Sequence, residues 1–161
     1  MKKPSILILL ILLAGIPAKS QVFTVTELEI LSSKNISDIE DSLFKKGFEF
    51  DNYDTTIKAT VYTYVPFSVL NPGEKKGGIF RIQSSKGKIL LTYITNKEEY
   101  TKLKEDVNNK GYKFIGSDNK KNLVEYLYKN SQFGVSFSIQ VLPYEALGVK
   151  NVYIFQIMKY P

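Results

Sequence analysis

The 161-residue sequence contains no cysteine, no histidine and no tryptophan. Without cysteine and histidine, the chain cannot form disulfides, Ser-His-Asp or Cys-His catalytic arrangements, or zinc sites built on thiolate and imidazole ligands. Any catalysis would have to use carboxylate, lysine, tyrosine or serine side chains. We therefore expect no metal or organic cofactor, and a fold that is stabilised by packing alone.

Arginine is also nearly absent, since Arg81 is the only one among the 22 basic residues. Proteins that read guanine or phosphate prefer the bidentate guanidinium to the lysine ammonium. The net charge of +6 falls to +3 without residues 1–20, because that segment holds three lysines and no acidic residue. The sequence therefore gives no support for a nucleic-acid partner.

Residues 1–20 have the three parts of a cleavable signal peptide. Lys2 and Lys3 precede an apolar run of eleven residues from Ile6 to Ile16, and small residues follow up to Ser20. A helix needs about 20 apolar residues to cross a bilayer, so this run is too short to remain as an anchor. We expect cleavage between Ser20 and Gln21, export to the periplasm or medium, and no membrane span after cleavage. The absence of cysteine fits a bacterial exported protein.

The rest of the chain carries an internal similarity at an offset of 64 residues. Aligning residues 28–64 with residues 92–128 gives seven identities. The identical pairs are Ile30 and Ile94, Lys46 and Lys110, Gly47 and Gly111, Phe50 and Phe114, Asp54 and Asp118, Tyr62 and Tyr126, and Tyr64 and Tyr128. A fixed offset of this kind is typical of a duplicated structural unit.

The aligned segments each predict one amphipathic helix. Apolar residues follow the spacing i, i+3, i+7 in both, at Ile36, Ile39 and Leu43 and again at Tyr100, Leu103 and Val107. Gly47 and Gly111 stand where each helix needs a left-handed residue after its end. Thr95 to Glu98 is interpreted as a capping box that begins the second helix.

Segments rich in β-branched and aromatic residues predict the strands, notably 60–65, 79–82, 123–128 and 154–157. We interpret the chain as an α+β fold made of two tandem β-α-β-β-β-like repeats, residues 21–86 and 87–161, which form one compact unit. The repeats would share an antiparallel sheet with two helices packed on one face. This layout is similar to that of secreted tandem α+β proteins such as the β-lactamase inhibitory proteins, but no sequence motif is shared, so the likeness implies no function.

Glycoside hydrolysis uses a pair of carboxyl groups. Three pairs in the sequence are candidates for this chemistry, namely Glu98-Glu99, Glu105-Asp106 and Glu27-x-Glu29. Lysines surround the first two pairs, which is typical of a solvated helix surface. Residues 51–54 read as an Asp/Asn turn rather than a calcium loop. Residues 73–78 lack the Lys-Ser/Thr ending of a phosphate loop.

Two loops remain as candidate interfaces. Tyr144 and Leu147 lie in an apolar loop over residues 143–149, and Lys75 and Lys76 lie in a glycine-rich loop over residues 71–78. These features favour a secreted or periplasmic, non-enzymatic binding module whose partner is a protein or an envelope component. The alternative is a hydrolase of carboxylate type that acts on an envelope polysaccharide.

Overall fold

The computed structural model describes residues 23–55, 59–66, 78–86, 88–142 and 150–160. Within these ranges the chain is an α+β fold of three helices and one eight-stranded antiparallel sheet. The helices are α1 (Val25–Ser32), α2 (Ile36–Lys45) and α3 (Lys97–Asn109). The strands are β1 (Phe48–Thr55), β2 (Thr60–Pro66), β3 (Ile79–Ser85), β4 (Lys88–Thr95), β5 (Lys113–Lys120), β6 (Leu123–Lys129), β7 (Phe133–Leu142) and β8 (Lys150–Lys159).

The sheet has the strand order β1-β2-β3-β4-β8-β7-β6-β5. Each half of the chain therefore contributes a four-stranded meander, and the last strands of the two meanders, β4 and β8, pair at the centre. Every neighbouring pair of strands is antiparallel. The outermost strands of the sheet are β1 and β5.

The two meanders begin with the same pairing. In the first, Phe50 lies opposite Tyr64 and a bulge follows at Asp51; in the second, Phe114 lies opposite Tyr128 and a bulge follows at Ile115. The rings of each pair meet edge to face, with centroids 5.7 Å and 5.5 Å apart. The 64-residue offset seen in the sequence thus extends to the strand register of both pairs.

Helices α2 and α3 end as the sequence predicts, because Gly47 and Gly111 have φ angles of +82° and +74°. Their beginnings match each other too, since Asn35 and Asn96 are the N-caps. The predicted capping box at Thr95 is wrong by one residue. Asn96 accepts the bond from the Glu99 amide, and the Thr95 hydroxyl instead contacts the Glu99 carboxylate.

The expectation of two helices, with a strand before the first of them, is wrong, because residues 25–32 form helix α1. Thr24 and Glu27 make a reciprocal capping box at its start, with bonds of 2.8 Å and 3.2 Å. Leu28 and Leu31 are buried on one side of this helix. The segment aligned with α1 at the 64-residue offset, residues 89–96, instead forms most of strand β4 in the centre of the sheet. The two aligned segments therefore differ in structure.

One other local interpretation is also wrong. Residues 51–54 are part of edge strand β1 rather than a turn, because Asn52, Tyr53 and Asp54 pair with β2 after the bulge at Asp51. The predicted boundary between the repeats, after residue 86, lies between strands β3 and β4, which pair with each other as a hairpin. Ser85 there pairs with Lys88, and Lys86 adopts a left-handed φ of +50°.

One face of the sheet packs against the helices. Phe80, Tyr93, Phe155 and Phe137 form a row across four neighbouring strands, since each lies opposite the next. These residues and the buried residues of all three helices belong to a single core cluster. Side chains alternate along a strand, so the residues between them point to the opposite face. None of the described helices packs on that face, which we call the helix-free face.

Candidate ligand-binding face

Two of the carboxylates considered as catalytic acids, Glu27 and Glu29, connect helix α1 to the rest of the fold. Glu27 forms an ion pair of 2.7 Å with Lys46, and Glu29 forms one of 2.9 Å with Lys110. Lys46 and Lys110 follow α2 and α3 directly, so the equivalent ends of these two helices both bind α1. Partial burial would raise the pKa of Glu27, but the hydrogen bonds from Lys46 and Thr24 outweigh it and hold the pKa below its usual value.

The helix α3 acids have similar structural roles. Asp106 accepts a 2.8 Å hydrogen bond from the Val25 amide at the start of α1. Glu99 accepts one of 2.7 Å from the buried Tyr93 hydroxyl, and Glu98 pairs with Lys102 on the exposed surface. The described residues contain no group of three or more acids that could hold a metal ion. These contacts assign a structural partner to at least one member of each predicted carboxylate pair.

The repeated tyrosines lie beneath the helices, as the core pattern predicts. Tyr64 and Tyr128 are buried, and Tyr62 and Tyr126 pack at the margin of the core. Lys104 of α3 lies over the Tyr126 ring, 4.0 Å from its centroid. All four rings therefore contribute to the packing between the sheet and the helices.

The helix-free face has an unusual mixture of side chains. In an antiparallel sheet with one open face, that face normally carries mainly polar residues. Here Ile79, Ile94 and Ile154 lie side by side on three neighbouring strands, and Leu90 lies opposite Met158 two rows further along. All five are partly exposed rather than buried. The open face therefore presents apolar rows to its surroundings.

A polar row crosses the centre of this face. The Ser136 hydroxyl donates to Gln156 Oε1 at 3.1 Å, and Gln156 Nε2 donates to Thr92 Oγ1 at 3.0 Å. These bonds fix the orientation of the Gln156 amide across β7, β8 and β4. A ligand on this face would meet an amide whose hydrogen-bonding groups are already oriented.

A depression of about 250 Å³ opens beside the polar row. Its wall is mostly apolar, with a few converging polar groups, which is the usual composition of a ligand site. Of the described residues that line it, Glu125 is the only acid. The lining residues are Leu90, Ile115, Glu125, Leu127, Tyr128, Gly134, Val135, Ser136, Gln156, Met158 and Tyr160.

Tyr160 forms the side of the depression because position 134 lacks a side chain. The Tyr160 amide donates to the Gln132 carbonyl at 2.8 Å, which places the ring over Gly134. A Cβ atom at position 134 would lie only 2.9 Å from Tyr160 Oη. Glycine thus allows the aromatic ring to approach the strand closely.

Other predicted site residues lie outside the described part of the chain. These are Ser20 and Gln21 at the predicted cleavage site, and Lys75, Lys76, Tyr144 and Leu147 in the two loops. The loops connect β2 to β3 and β7 to β8, whose joined ends lie at the same end of the sheet. The depression was not anticipated, because its residues come from five strands whose order the sequence does not reveal.

No protein-family model, curated protein or solved structure matches this chain. Among the described residues, no helix has the length and apolar character needed to span a bilayer.

Proposed function

We propose that this protein is an exported, non-enzymatic binding module that holds a partner protein on the helix-free face of its sheet. The observation that carries the proposal is the apolar depression beside the oriented Gln156 amide. Leu127, Met158 and Tyr160 provide apolar contact, and Glu125 at the margin provides a negative charge. The chemistry fits an apolar side chain of the partner that lies next to a cationic group.

We also propose that the two halves of the chain are duplicates of one α-β-β-β-β unit. We place the units at α2 with β1–β4 and at α3 with β5–β8, so that the boundary lies between β4 and α3 instead of after residue 86. The shared Asn N-caps, glycine ends and β-bulges support the duplication. In this scheme α1 is an added element that both units bind.

Site-specific crosslinking in the producing cells tests the proposal. A photoreactive amino acid at position 158 should give a defined adduct with a partner protein, while one at exposed Thr101 on the helix side should not. Substituting Leu127→Asp should abolish the adduct at position 158 without preventing folding, because Leu127 is only partly buried. Equal adducts at positions 158 and 101, or none at either, would refute the proposal.

The alternative is a polysaccharide hydrolase that uses carboxylates on the same face. Asp118 and Glu125 lie directly opposite each other on β5 and β6. However, the ion pair with Lys120 lowers the pKa of Asp118, whereas a general acid needs a raised pKa. Release of reducing sugar from envelope polysaccharide, lost in Glu125→Gln, would favour this alternative over binding.

Lys75, Lys76, Tyr144 and Leu147 stay predicted contacts for the same partner. Their loops join strand ends on the side of the Ile79–Ile94–Ile154 row, whereas the depression lies towards the other end of the strands. A partner that touches both regions would therefore lie along the strand direction.

A further inference from the structure

Among the described strands, β1 and β5 form the two edges of the sheet. Strand β1 has six exposed residues of eight, and strand β5 has seven of eight. Within the described residues each pairs with a single neighbour, β2 or β6. A strand in this position has unpaired backbone N–H and C=O groups, which can hydrogen-bond to another strand.

Both edges also carry exposed apolar side chains. Phe50 and Tyr53 on β1 are 43% and 66% exposed, and Phe114 and Ile115 on β5 are 56% and 50% exposed. These four make up most of the seven large hydrophobic residues that are exposed in the described structure. Monomeric proteins usually blunt an edge with charge and keep apolar residues off it.

The charges of the two edges are opposite in sign. Strand β1 carries Glu49, Asp51 and Asp54 and no cation. Strand β5 carries Lys113 and Lys120 with one acid, Asp118, and Lys121 follows in the turn. Two β1 edges would therefore repel each other, as would two β5 edges, whereas β1 attracts β5.

The directions of the strands also permit a contact between β1 of one copy and β5 of another. All seven pairings in the sheet are antiparallel, so β1 and β5 run in opposite directions at the two edges. A second copy that is placed beside the first in the same orientation brings its β1 antiparallel to β5. The alternation then continues across the contact, with the helices of both copies on the same side.

We propose that this protein associates with itself head to tail, with β5 of one copy pairing with β1 of the next to extend the sheet. The contact is heterologous, so each added copy leaves one β1 and one β5 edge free for further growth. The contact uses the edges of the sheet, and Ile115 of β5 is the one edge residue that also lines the depression. The proposal rests on edge pairing and edge charge, and does not rest on the proposed partner-binding function.

The β-bulges at Asp51 and Ile115 and the edge charges can instead be protection against association. The two explanations predict different behaviour. If the charges only protect, the protein stays monomeric and reversing them changes nothing or promotes association of many kinds. If the charges select the unlike edge, reversing the charge of one edge weakens association, and mixing a variant reversed at β1 with a variant reversed at β5 restores it.

Sedimentation velocity of the purified protein at increasing concentration tests the proposal. We expect a series of oligomers without a dominant dimer, and weaker association as NaCl rises from about 0.05 to 0.5 M, because salt screens exposed charges. Asp51→Lys with Asp54→Lys should weaken association on the order of tenfold or more, as should Lys113→Glu with Lys120→Glu. The matched control is Glu98→Lys with Glu105→Lys on the exposed side of α3, which should associate like the wild type.

The decisive experiment mixes the β1 variant, Asp51→Lys with Asp54→Lys, with the β5 variant, Lys113→Glu with Lys120→Glu. The β1 variant has two basic edges and the β5 variant two acidic edges, so neither should self-associate. Mixed in equal amounts, they should associate, because each β1 again meets a β5 of opposite charge. A wild type that is monomeric at all concentrations, a closed dimer, equal loss in the α3 control, or no association in the mixture would each overturn the proposal.

Discussion

Gly111 offers a direct test of how helix α3 ends. The residue has a φ of +74°, and a Cβ atom placed on it would contact nothing within 4 Å. The cost of Gly111→Ala therefore comes only from the backbone conformation. A left-handed L-residue costs about 1–2 kcal/mol, while alanine offsets roughly 0.4–1 kcal/mol of this by restricting the unfolded chain. We expect a net loss of about 0.5–1 kcal/mol.

Gly116 on strand β5 is the matched control. A Cβ atom there also meets open space, but the φ angle is not in the left-handed region. Gly116→Ala should be neutral or slightly stabilising, so the two variants should differ by about 1–2 kcal/mol. Urea denaturation measures this as a midpoint difference of roughly 0.5–1 M. Equal midpoints would show that backbone strain at residue 111 does not determine the helix end.

The other predictions concern pH, helix docking and processing. Burial, and secondarily Glu40, raise the pKa of Tyr64 to about 12 from 10 in an ordinary tyrosine. The unfolded chain thus loses this proton first, so stability should fall between pH 10 and 12, and less steeply in Tyr64→Phe. Asp106→Ala removes the hydrogen bond to the Val25 amide and should cost about 1–2 kcal/mol, with faster hydrogen exchange in α1 than in α2. Mass analysis of the exported protein should find Gln21 as its first residue; retention of residues 1–20 would contradict the signal peptide.

Local patterns in the sequence predict those elements whose own residues determine them. The i, i+3, i+7 stripe identifies the buried side of α3, and β-branched and aromatic runs identify β2 and β6, because each pattern reflects local geometry and burial. The Asp and Asn residues at 51–54 predict a turn, since these residues favour turns in isolation. Pairing with β2 overrides this preference, and a bulge accommodates the polar residues at the edge.

Helix α1 was missed although the sequence contains its signal. Thr24 and Glu27 have the spacing of a capping box, but the alignment of Ile30 with Ile94 favoured a strand. The composition of the helix-free face could not be predicted from the sequence. Its central row joins Thr92 of the first half to Gln156 and Ser136 of the second, and only the β4–β8 pairing brings these residues together.

The strand register also shows where the proposed duplicates differ on this face. Thr63 lies opposite Arg81, as Leu127 lies opposite Ser136. Arg81 in turn lies opposite Thr92, as Ser136 lies opposite Gln156. Arg81 and Ser136 therefore hold equivalent positions in the two meanders. In the first half this position holds Arg81, whose long cationic side chain is exposed. In the second half it holds Ser136, a small buried residue whose hydroxyl borders the depression.

This difference predicts that exchange of one residue closes the proposed site. Ser136→Arg places the first-half side chain beside Gln156, so it should occupy the depression and abolish crosslinking of the partner at position 158. The lost hydrogen bond from the serine hydroxyl should cost only about 1 kcal/mol of stability, because the arginine can extend to solvent. Arg81→Ser is the control, since it makes the first half resemble the second and should leave crosslinking unchanged. If Ser136→Arg folds and still crosslinks normally, the partner does not enter the depression, and the apolar rows of the open face would need a different explanation.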